Sequence, residues 1–104
     1  MSSKPKMAFI VLVPDAEPEQ HRCTLESGLV KMIIQMVPTM DKAVEVAKQM
    51  ADEGVNPIEL CGGFGHSMTG KVADAVKGKA LVGAVRFDIH AAFGKSSDEI
   101  FGGQ

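Results

Sequence analysis

The chain is poor in cysteine: it has two in 104 residues, Cys23 and Cys61, with no C-x-x-C pair between them. That excludes a disulfide-stapled scaffold and the usual zinc-ribbon or thioredoxin-type spacings, and both residues read as thiols of a reducing cytoplasm. It also lacks an excess of one charge. Eleven Lys and Arg stand against 13 Asp and Glu, for a formal charge of −2, and no predicted face gathers the cations that a phosphate backbone requires. Nucleic acid is therefore not expected as a partner. The longest apolar run, Met7 to Val13, ends at Pro14-Asp15, far short of the ~20 residues of a membrane span. Lys4 and Lys6 before it imitate a signal peptide, but no small-residue cleavage pattern follows, so the run is expected to be a buried strand.

What is present is an ordinary globular balance of 45% hydrophobic and 23% charged residues. This suits one α/β domain over residues 1–104, with 1–6 and 95–104 as tails. Met7–Val13 is apolar throughout, with β-branched Ile10, Val11 and Val13, as in a central strand covered on both faces. Residues 14–29 hold two prolines and several charges and read as a loop, with one exposed helical turn at Pro18–Arg22. In the next strand, Val30–Val37, alternation puts Val30, Met32, Ile34 and Met36 on one face and Lys31 and Gln35 on the other, which predicts a half-exposed or edge position.

Thr39 is the expected N-cap of a helix whose apolar face carries Met40, Ala43, Val44, Ala47, Met50 and Ala51, with Gly54 closing it. Asn56-Pro57 turns the chain into a short strand, Ile58–Cys61. A second helix over 67–77 ends at Gly78, and Ala80–Phe87 is the last strand, with Leu81 to Val85 apolar on both faces. The order β-β-α-β-α-β contains two βαβ units, and so predicts a four-stranded, mostly parallel sheet. Two helices in such an arrangement cover one face. The apolar second face then calls for a partner subunit, and a homo-oligomer is expected.

The segment Ile58-Glu59-Leu60-Cys61-Gly62-Gly63-Phe64-Gly65-His66-Ser67 carries the clearest functional signal, a strand passing through three glycines into a helix start. Glycines permit positive φ and close approach of a ligand to the main chain, Ser67 is positioned as a cap, and the helix N-terminus favours negative charge. The spacing fits neither G-x-G-x-x-G nor a phosphate loop, since no Gly-Lys-Ser/Thr follows. The turn therefore marks where a small anion, phosphate or carboxylate, is expected without saying which. In an open α/β sheet, ligands gather beyond the carboxyl ends of the strands. Those ends supply Gly62, Gly63, Phe64, Gly65, His66 and Ser67, together with Asp15 and Arg86, the last a planar counter-charge for an anion.

Cys61, His66, Asp88 and His90 are the candidates for catalysis, the three last for proton transfer in a lyase or isomerase and Cys61 as a nucleophile before a helix. Their spacing matches no standard metal signature, and neither metal nor cofactor is expected. A structural or interaction module with a purely structural glycine turn is the competing class. Two resemblances follow from these residues. The segment from Ala43 to Val85, with its Val-Asn-Pro-Ile-Glu-Leu strand, glycine turn, helix and Leu-Val-Gly-Ala-Val strand, is similar to a quarter of a (βα)8 barrel of the keto-acid aldolase type, and implies architecture only. Phe9 to Ala16, Ile58 to His66 and Val85 to Asp88 together resemble a small bacterial family of about this length without an assigned function. That resemblance implies a bacterial cytoplasmic protein and brings no catalytic residues with it.

Overall fold

The β1 run and the Thr39 cap fall where the sequence places them, but the sheet is larger than expected. The structure is a computed structural model, and it describes residues 4–87, 89, 91, 92, 94, 95 and 99. The chain runs β1 (Lys6–Leu12), β2 (Arg22–Glu26), β3 (Lys31–Val37), α1 (Met40–Asp52), β4 (Ile58–Leu60), α2 (His66–Ala75) and β5 (Val82–Ala84). Its sheet is five-stranded, in the order β2-β3-β1-β4-β5. β1 pairs parallel with both β3 and β4, β5 pairs parallel with β4, and β2 pairs antiparallel with β3. A small α/β domain is therefore right, and the four-stranded sheet becomes a mixed one of five strands.

The extra strand lies in the segment expected to be a loop. All five residues of β2 are exposed, so the segment has no buried face to announce itself by hydrophobicity. A tight hairpin holds it instead. Ser27 N–H donates to the Val30 carbonyl at 2.9 Å, while Ser27 Oγ accepts from Leu29 and Val30 N–H at 3.1 and 3.2 Å. β2 forms the edge, and β3 becomes an inner strand. At the other edge β5 is shorter than the expected 80–87 and is not doubly buried: Leu81 is 74% exposed, and Gly83 and Ala84 are exposed too.

Both helices pack on one face of the sheet. Ala43, Val46, Ala47 and Met50 of α1 and Met68 and Val72 of α2 join Ala8, Ile10, Ile33, Val37, Ile58 and Leu60 in a single core. Thr39 caps α1 as expected, its Oγ1 accepting from Lys42 N–H at 3.1 Å, and Gly54 follows the helix with φ of 87°. The helix-facing side of β3 is Ile33, Gln35 and Val37, not the methionine side, so Gln35 is buried where the alternation had put it outward. Lys6 already lies in β1, and Lys4 reaches Glu26 Oε2 at 2.7 Å. Within the expected 1–6 tail, Lys4 and Lys6 are thus tied to the sheet, and residues 1–3 lie outside the described residues. Of the other expected tail, 95–104, only residues 95 and 99 are among those described. Among the described residues no helix is long and apolar enough to cross a membrane.

Candidate functional site

Strand order places the glycine turn at a special point of the sheet. After β1 the chain leaves toward β3 and β2, and after β4 it leaves the opposite way toward β5. Adjacent parallel strands whose connections diverge leave a crevice beyond their carboxyl ends, where ligands of open α/β sheets bind. Leu12 to Asp15 lead out of one of these strands and Cys61 to His66 out of the other.

The turn is tied internally through sulfur. Cys61 is half-buried, and its Sγ accepts from Leu12 N–H at 3.4 Å and from Gly63 N–H at 3.3 Å, while Phe64 N–H donates to the Cys61 carbonyl at 3.1 Å. Two main-chain donors that would otherwise face the crevice are thus occupied by the thiol. Phe64 is buried in the core and anchors the turn from below. Gly63 is needed for space: a Cβ there would lie 3.3 Å from Cys61 Sγ and 3.6 Å from Leu12 Cβ. Positive φ is not the reason. Among the described residues only Gly54, Gly78 and Gly94 take it, so the positive φ expected of Gly62, Gly63 and Gly65 is not adopted, and at Gly63 close approach takes its place.

α2 begins one residue earlier than expected. Its N-cap is Gly65, with φ of −78° and no side-chain cap bond, so Ser67 lies in the first turn and does not cap. A helix leaves its first few N–H groups without intrahelical partners. Here these belong to Gly65, His66, Ser67 and Met68, and no other described residue accepts from them. His66 is exposed at the first helical position. Arg86, also exposed, lies two residues beyond Ala84, which pairs with Leu60; it therefore stands at the level of Gly62 on the neighbouring chain segment.

Of the four residues considered for catalysis, Cys61 and His66 flank the turn, whereas Asp88 and His90 lie outside the described residues. Among the described residues no group of three or more His, Cys, Asp and Glu could hold a metal ion. A second concave region was not anticipated. It lies on the helix side of the sheet beside β2, has a volume of about 530 Å³, and is lined by residues that include Arg22, Gln35, Val46 and Met50. The available signal was Gln35 itself, which shares a face with Ile33 and Val37.

A family model matches residues 5–98 and describes a family of unknown function, DUF6506. The chain belongs to that family. No curated protein and no solved structure matches it. The DUF6506 match spans every described strand and both helices, so the glycine turn and the crevice lie within the family's own domain. It brings no ligand with it.

Proposed function

We propose that the protein binds a small anionic metabolite, a phosphate or carboxylate, at the Gly62 to Ser67 turn. The observation that carries this reading is the coincidence of a helix N-terminus having free N–H groups with the crevice where the strand connections diverge. Since Cys61 Sγ occupies the Leu12 and Gly63 donors, the seat is best drawn at Gly65, His66 and Ser67. Arg86 supplies counter-charge from the adjacent segment, through paired donors that suit a planar or tetrahedral anion. Two free thiols fit a reducing, cytoplasmic setting.

The test is a thermal-shift titration with inorganic phosphate, sulfate and a panel of small carboxylates. A specific ligand at a hundred times its dissociation constant adds about 2.7 kcal/mol to stability. Gly63→Val, which crowds Leu12 and the Cys61 sulfur, should abolish that gain. Retained affinity in a folded Gly63→Val variant removes the turn as the site.

A second reading concerns assembly and rests on its own observation. With both helices on one side, the opposite face of the central strands presents Met7, Phe9 and Val11 of β1 beside Met32, Ile34 and Met36 of β3. We infer that this face mediates a homo-oligomer, since it is apolar and continuous across the two strands.

A further inference from the structure

The groove beside β2 exists because helices cover less of the sheet than the strands span. α1 packs over the middle of the sheet, and the helix-side surface of edge strand β2 is left open. Between them lies a concavity of about 530 Å³, within the ~300–1,000 Å³ range of small-molecule sites. It is distinct from the glycine turn and independent of it.

Gln35 forms its inner wall and is only 2% exposed. Its Nε2 donates to the Pro18 carbonyl and to the Met36 carbonyl, each at 2.9 Å. Both partners are acceptors, so only the NH2 end of the amide can face them, and the orientation is fixed by hydrogen bonding. Oε1 must point the other way. No described residue donates to it. A buried carbonyl oxygen without a donor costs about 1–3 kcal/mol, and such an atom in a native fold calls for a partner.

The charges around it narrow the choice. Arg22 is the register partner of Gln35 across β2 and β3, is exposed, and has no carboxylate partner among the described residues. Lys42 is already paired with Glu45 at 2.8 Å, whereas Glu19 and Glu53 on the rim have no ion-pair partner among the described residues. A site with one free guanidinium, two free carboxylates and one buried acceptor disfavours a simple anion. It suits a molecule that carries an ammonium and a carboxylate together. Val46 and Met50 provide an apolar floor between the charged rims.

We propose that this groove binds a free α-amino acid, its carboxylate on Arg22, its ammonium donating to Gln35 Oε1 and a rim glutamate, and its side chain over Val46 and Met50. The groove has room for the zwitterionic head and a side chain of moderate size.

The standard L-α-amino acids are titrated singly into the full-length 15N-labelled protein, and the Gln35 side-chain amide and Arg22 Nε–H signals are followed by NMR. Acetate and methylammonium, each half of the zwitterion, are run beside them. At least one amino acid should shift both signals saturably in the millimolar range or below, with neither half-ligand reproducing the effect. Arg22→Gln removes the guanidinium from an exposed, unpaired position and should fold normally while weakening that amino acid at least tenfold. Gln35→Glu, checked for folding by its backbone spectrum, should alter the preference among amino acids. The proposal is overturned if no amino acid gives a saturable shift, if acetate alone matches the effect, or if Arg22→Gln binds with unchanged affinity.

Discussion

The two faces of β1 and β3 are built from similar side chains and meet different surroundings. On the helix side, Ala8, Ile10 and Val37 have no exposed surface, and they lock against α1 and α2. On the other side, Met7, Phe9, Val11, Met32 and Ile34 are half-buried and Met36 is exposed. A strand that needed only one covered face would alternate apolar with polar residues, as antiparallel sheets facing water do. β1 does not alternate. The difference leaves an apolar second face on β1 and β3, and the helix-covered face alone explains the fold of a single chain.

The largest effect should come from the covered face. Leu60 is fully buried in β4, immediately before the glycine turn. Leu60→Ala should cost about 2–5 kcal/mol in urea unfolding, because the rigid core collapses only partly around the cavity. A loss below this range would mean that the helix-side packing is looser than the burial implies, and the contrast between the faces would shrink.

A charge on the open face separates assembly from folding. Ile34→Lys should leave a folded protein whose light-scattering mass falls to that of the 11.0 kDa chain, while the parent remains a dimer or larger. A parent that is already monomeric at micromolar concentration would break the comparison, since the second face would then be covered by the chain itself or tolerate water.

The glycine turn lies between these extremes. Gly63→Ala brings a methyl group to 3.3 Å from Cys61 Sγ, and overpacking of this kind costs about 1–3 kcal/mol. Cys61→Ala should relieve part of that cost, so the double variant should be more stable than the sum of the two single effects predicts. Additivity in denaturant unfolding would show that the sulfur is not what holds Gly63 to its size. At the neighbouring position, Arg86→Lys should weaken phosphate about tenfold, as expected for losing one charge-assisted hydrogen bond.

What the sequence made legible was local. The β1 run, the Thr39 cap, the Gly54 helix end and the glycine turn each depend on chemistry within a few residues, and the structure keeps all four. What it hid depends on neighbours distant in sequence. β2 is exposed along its whole length, so neither face left a hydrophobic trace, and its Ser27-Gly28 hairpin signal sat inside a segment rich in charge and proline. Gln35 was put on the outer face because alternation gives two faces without saying which one α1 will cover. The α2 cap moved from Ser67 to Gly65, and the helix start from 67 to 66, because an extended glycine can enter a helix without a capping side chain, a shift within the usual uncertainty of helix ends. Asp88 and His90, two of the four residues considered for catalysis, lie where the comparison does not reach.

The smallest effect belongs to the exposed rim, at the outer edge of the sheet. Lys4 Nζ donates to Glu26 Oε2 at 2.7 Å and to the Ser27 carbonyl at 2.6 Å, tying the start of β1 to the end of the β2 hairpin. This hydrogen bond is the main reason that the Glu26 carboxyl titrates below its ordinary value, with the charges of Lys4 and then Lys31 adding to it. A carboxylate whose pKa is lowered by folding stabilises the fold above its unfolded pKa, and that contribution is lost as pH falls through the lower folded value. Glu26 is on the surface, so solvent and salt keep the contribution small. Lys4→Ala should raise the Glu26 pKa most of the way back in a carboxyl NMR titration. Lys31 is the register partner of Glu26 on β3 and should hold a residual depression that Lys31→Ala alone changes less. Thermal stability near neutral pH should hardly move in either variant. A Glu26 titration unchanged by Lys4→Ala would mean that this ion pair does not fasten the edge of the sheet, and that the Ser27 hairpin alone holds β2 in place.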